Sequence, residues 1–135
     1  MAFETYRIDR IAHDLVRDYY QSRDAMSQSH KMRMTVAYGL ERFWGEQYRL
    51  DGVKADYWKA TWDEFAKMMD KVGISIPNDE IDPNQPDTVK SMTDKLWAVP
   101  LEHRKVALAV LTQLCGSLVW WTQRYKKLAG GSDDE

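Results

Sequence analysis

Val106-Ala107-Leu108-Ala109-Val110-Leu111, Leu114-Cys115-Gly116 and Leu118-Val119-Trp120-Trp121 form the middle of one segment, Leu101 to Leu128, and its reading decides the fold. Apolar residues at 107, 111, 114, 118, 121, 125 and 128 recur at three- and four-residue steps, the spacing of one helix face. Val106, Val110, Val119 and Trp120 fall off that stripe, so the middle is apolar nearly all round. A helix of this kind is buried among others or lies against a partner. It would run roughly 40 Å at 1.5 Å per residue. Thr112, Gln113 and Gln123 interrupt it and charge flanks it, which argues against a membrane span.

Four further helices are expected upstream, at Phe3–Ser27, His30–Leu50, Val53 or Lys54–Val72, and Asp87–Ala98. The cleanest stripe is Trp58, Trp62, Phe65, Met69 and Val72, with Gly73 as its left-handed stop. Ser29 is expected to cap the second helix, Asp87 the fourth, and Pro100 to open the last. Gly39 and Gly45 inside the second helix each cost about 1 kcal/mol relative to Ala, which implies a close helix approach or a bend. Residues 74–86 carry three Pro and read as a solvated loop. Asn78, Asp79 and Asp82 lack the spacing of a calcium loop. The fold class that follows is all-α: an antiparallel bundle of about five helices over residues 1–131, its last helix central, with an acidic disordered tail at 132–135.

The chain has 135 residues, enough for one domain with a substantial core. One Cys excludes an intrachain disulfide and fits a reducing cytoplasm. The first residues lack the apolar run of a signal peptide. Net charge is −2, unevenly spread. Residues 55–102 hold 5 Lys/Arg and 10 Asp/Glu, whereas residues 103–131 hold five Lys/Arg and no acid. The cations near the helix end complement its dipole, or form a basic aromatic face for phosphate or an acidic partner.

No strong catalytic motif stands out. His13, His30 and His103 are the only His, without metal-ligand spacing, so no metal or cofactor is expected. His13 with Asp14 and Asp18 reads as a solvated helix face, and Cys115 as a small core residue. Six Trp are too many for one core. Trp120 and Trp121 sit about 100° apart on a helix, so one face cannot hold both. Trp120, Trp121 and Trp44 are therefore candidate partner contacts, with Trp120 favoured.

Arg23-Asp24 followed by His30 resembles the motif of HEPN-type ribonucleases, which implies cleavage of RNA by that Arg and His. The structural alternative is a surface Arg and a His at a helix start. A wider resemblance covers most of the chain. Arg10-Ile11-Ala12 with Val16, Gly39-Leu40 leading to Phe43, and Trp121, Arg124 and Tyr125 at the end resemble the small α-helical subunit of type III-B CRISPR effector complexes; the Pro expected before Gly39 is missing. The resemblance implies a non-catalytic subunit that stacks with copies of itself and lines a guide–target RNA duplex. Arg104, Lys105, Arg124, Lys126 and Lys127 would then contact phosphates, with binding that weakens as salt rises. The partners expected are other protein subunits, RNA, or a second copy, in the cytoplasm and away from membranes. A small accessory or inhibitor protein, such as a phage-encoded one, fits the same features.

Overall fold

A computed structural model describes residues 5–128, with the side chains of residues 5 and 6 left aside. The acidic tail expected at 132–135 lies outside the described residues. The helices are α1 (Thr5–Tyr19), α2 (Arg23–Met26), α3 (Gln28–Thr35), α4 (Leu40–Arg49), α5 (Gly52–Lys71), α6 (Pro86–Trp97) and α7 (Leu101–Tyr125), with a 3-10 turn at Val36–Tyr38. No strand occurs among the described residues. The protein is an all-α bundle with a long apolar C-terminal helix.

Two expected helices are broken. The first ends at Tyr19, because Ser22 turns extended and accepts a hydrogen bond from the Ala25 amide (3.1 Å), capping the single turn of α2. The second is cut at Gly39, whose φ of +106° ends the 3-10 turn and starts α4. That backbone conformation suits Gly and strains any residue with a Cβ. The bend is therefore at Gly39. At Gly45 an added Cβ would meet nothing within 4 Å, so no helix approaches there. Gly73 behaves as expected: its φ is +82°, its amide donates to Asp70 O, and the Ile74 amide donates to Met69 O, closing α5 in a Schellman motif.

Capping differs at two other places. Ser29 lies inside α3 rather than before it, and is buried. The residue before α6 is Gln85, with Pro86 at its first position; Asp87 sits in the first turn and does not cap. Pro100 occupies the N-cap position of α7.

The core has two centres. α7 packs along α1 and α3, contributing Ala107, Leu111, Leu114, Cys115 and Leu118. α5 is touched by α1, α2, α3, α4 and α7, and buries Tyr57, Trp58, Trp62, Phe65, Met68 and Met69. Each large side chain removed from water in this way contributes about 1.5–3 kcal/mol. By length and composition alone α7 could cross a membrane; here 39% of that stretch is buried inside the bundle.

A buried polar seam ties the bundle at one end. Ser29 Oγ is hydrogen-bonded to the Tyr57 hydroxyl (2.7 Å) and to Thr122 Oγ1 (2.6 Å), joining α3, α5 and α7. Trp58 Nε1 donates to Gln28 Oε1 (2.9 Å). The Tyr19 hydroxyl reaches Asp56 O (3.4 Å). These contacts put the C-terminal ends of α1 and α7 beside the first turns of α3 and α5. So α1 and α7 run toward this end, and α3 and α5 run away from it. The segment after α5 is a strap laid on that helix. Ile74 and Ile76 are buried, Trp62 Nε1 donates to Pro77 O (3.3 Å), and Asn78 Nδ2 donates to Asp63 Oδ1 (2.9 Å).

Candidate functional site

The last two turns of α7 carry an aromatic cluster against α1. Trp121 stacks flat on His13, with centroids 3.9 Å apart and planes 4° from parallel, and its Nε1 donates to Asp9 Oδ1 (3.0 Å). His13 Nε2 and the Tyr125 hydroxyl are hydrogen-bonded, and Tyr20 sets its edge on Tyr125. The His13 ring is therefore half-buried packing, while Asp14 and Asp18 face solvent. Among the described residues, no three His, Cys, Asp or Glu are close enough to hold a metal together.

Trp120 points the other way. It is 47% exposed, and its ring meets Trp121 edge-on at 4.8 Å. The Arg124 guanidinium lies 4.0 Å over its face, a cation–π contact worth about 0.5–1 kcal/mol at an exposed site. Lys126 and Lys127 follow within the next turn and are exposed. Among the described residues none of Arg124, Lys126 and Lys127 has a carboxylate partner. The corner thus presents one large aromatic and three cations that are unpaired among the described residues, on the final turns of a helix held by the polar seam.

The other candidates separate from this corner. Trp44 is 4% exposed on α4 and is no partner contact; it shares the apolar face of Leu40 and Phe43, and its buried Nε1 has no hydrogen-bond partner among the described residues. Trp121 is half-buried and committed to His13 and Asp9, so it supports Trp120 rather than facing outward. Arg104 is occupied within the fold. Its Nη2 donates to Trp97 O (2.6 Å) and Val99 O (3.1 Å), with Leu96 O at 3.5 Å, so it closes the C-terminal end of α6. Lys105 is exposed beside Glu102, at 3.9 Å, and sits 19 residues before Arg124, about 30 Å along the helix. The five candidate phosphate contacts therefore do not form one stripe.

Trp97 is an exposed aromatic that was not among the candidate partner contacts. It is 58% exposed at the end of α6, near exposed Leu101. Its signal was available: it follows Leu96 directly and falls off the Val89, Met92, Leu96 stripe. Arg23 and His30 are both exposed, on α2 and α3. Cys115 is fully buried, and burial pushes its thiol well above the ordinary 9.0.

A second feature is a cleft of about 510 Å³ between α5 and the strap, lined by residues including Gln47, Tyr48, Asp63, Asp70, Ile76 and Glu80. A smaller hollow of about 280 Å³ shares Gln47, Tyr48, Lys59 and Glu80 with it and adds Asp56. No family model matches the chain, and no curated protein or solved structure is similar to it.

Proposed function

We propose that the protein is a non-catalytic adaptor subunit that holds another protein through the Trp120–Arg124 corner of α7. The observation that carries this reading is the exposed Trp120 with Arg124 on its face and, among the described residues, no carboxylate paired with that guanidinium. Trp and Arg are the side chains that most often dominate protein–protein contacts, because they bring area and directed polarity together. The partner surface is acidic and carries a pocket for an indole.

A second reading, an RNA-contacting subunit of a CRISPR-type complex in the cytoplasm, draws on the absence of acid between Glu102 and Asp133. It is weakened by the geometry, since Arg104 is spent on α6 and Lys105 stands at the far end of α7.

The test is co-purification of tagged protein from its native cells. Wild type is expected to bring down a defined protein partner that a Trp120→Ala/Arg124→Ala variant loses while keeping its helical circular dichroism. Retention of every partner by the variant refutes the corner. A parallel titration with labelled RNA at two salt concentrations separates the readings. Salt-sensitive RNA binding lost in Arg124→Ala/Lys126→Ala/Lys127→Ala moves the function to the RNA-contacting subunit.

A further inference from the structure

We infer that the α7 corner of one copy docks into the α5 cleft of a second copy, so that the protein associates with itself head to tail. This rests on the corner being a contact surface, and names its partner.

The two surfaces complement each other in charge. In and around the cleft, Asp63 is met by Lys59 and Asn78, Asp79 is ion-paired with Lys95, and Lys67 is met by Glu64. Among the described residues Asp56, Asp70 and Glu80 are left with no ion-pair partner. Three carboxylates without an ion pair among the described residues thus face outward from the cleft and its adjoining hollow, with Lys59 near Glu80, and three cations without one face outward from the corner. Within one chain no corner cation is within ion-pair distance of a cleft carboxylate.

They also complement each other in hydrogen bonding and size. Gln47 is 8% exposed and lines the cleft. Its Nε2 donates to Trp44 O (3.0 Å), and its Oε1 accepts no hydrogen bond within the described residues. Trp120 Nε1 likewise has no acceptor among them. A cleft of about 510 Å³ falls in the range of roughly 300–1,000 Å³ that encloses drug-sized groups, and an indole with a guanidinium stacked on it is such a group. The patches differ, so the contact is heterologous, building a ring if the rotation closes and an open chain if it does not.

The test is sedimentation velocity of the full chain over a wide concentration range at low and high salt. Wild type is expected to associate at high concentration and to dissociate as salt rises, because exposed charges are screened. Arg124→Glu/Lys126→Glu/Lys127→Glu and Asp56→Lys/Asp70→Lys/Glu80→Lys should each weaken association about tenfold or more, since like charges then face one another. All six residues are exposed, so both variants are expected to keep the wild-type circular dichroism. Mixing the two variants, or combining all six changes in one chain, should restore association. A wild type that stays monomeric at low salt overturns the inference, as does association that neither reversal weakens or that mixing fails to restore. If wild type is monomeric yet the corner variant still loses its co-purifying partner, the self-docking falls and the adaptor reading stands.

Discussion

Replacing Arg104 with Met should lower stability and leave every binding measurement unchanged. The guanidinium is a half-buried bridge from the first turn of α7 to the carbonyls that α6 leaves open at its end. Two contacts are well formed, at 2.6 and 3.1 Å, and the third at 3.5 Å is marginal. A hydrogen bond to a charged group contributes about 1.5–3 kcal/mol when enclosed. Water can replace the guanidinium at exposed Trp97, so the two together come nearer 1–2 kcal/mol. Met keeps the apolar stem, so the loss is of donors rather than packing. Unfolding entropy near 2.1 cal/mol/K per residue makes 1 kcal/mol worth about 3.5 °C in a chain of 135 residues. The melting temperature, read by circular dichroism at 222 nm, should therefore fall by about 4–7 °C. The Arg124→Met variant is the matched control: loss of its cation–π contact should lower the melting temperature by no more than about 2–3.5 °C, and it should lose partner binding. An Arg104→Met protein that melts like wild type but binds less refutes the capping argument and returns Arg104 to the binding surface.

Three further outcomes follow from buried groups and glycines. Stability should fall above pH 9, because burial pushes both the Cys115 thiol and the Tyr57 hydroxyl up, and the unfolded chain gives up these protons near 9.0 and 10.0 while the folded state keeps them. The unfolded state then binds fewer protons, so each group removes about 1.4 kcal/mol per pH unit; urea midpoints that stay level from pH 8 to 10.5 would contradict this, and Cys115→Ala should flatten the first part of the decline. Ser29→Ala should cost about 1–3 kcal/mol, because the buried Ser29 hydroxyl bridges the Tyr57 and Thr122 hydroxyls; an unchanged midpoint in chemical denaturation would show that the seam is not organised around Ser29. Gly45→Ala and Gly116→Ala should each stabilise by about 0.5–1 kcal/mol, since the added Cβ meets nothing within 4 Å inside a helix, while Gly39→Ala and Gly73→Ala should destabilise by about 1–2 kcal/mol at φ of +106° and +82°.

What could be read from sequence was what local spacing controls. Trp58, Trp62, Phe65 and Met69 step along one face, and all four are buried in α5. Gly73 stops that helix because the stop is chosen by one residue's φ, visible as its identity. The break after Tyr19 was missed because it contains no Gly or Pro; it is made by the Ser22 side chain competing for a backbone amide. Ser29 looked like a cap for the same chemical reason, but its partners are 28 and 93 residues away, and no local pattern contains them. Arg104 failed in the opposite direction. Its cation was visible, but the carbonyls that claim it appear only when α6 turns back on α7. Trp44 is the case where the composition argument was wrong: it belongs to the Leu40–Phe43 face, and a surplus of Trp in the chain does not say which one is exposed. The surplus is met by Trp97 and Trp120, each directly following a buried residue of its own helix.

The corner's value as a contact surface depends on the seam beneath it. Thr122, one residue past Trp121, is held by Ser29, which also holds Tyr57. Tyr125 is held by His13, and Trp121 by His13 and Asp9. The final turn of a helix ordinarily frays, because its last carbonyls have no partners within the helix. Here three successive inward-facing side chains tie that turn to α1, α3 and α5. Trp120, between Trp121 and the Arg124 guanidinium, is therefore fixed in place before any partner arrives. Ordering a free side chain at an interface costs about 0.5–1.5 kcal/mol, and a pre-set indole avoids that cost. An aromatic left exposed by accident needs no such support. The seam commits hydroxyls from three helices, those of Ser29 and Tyr57 buried, to the one end of the bundle where α7 presents Trp120, and that placement ties the architecture to the function proposed for it.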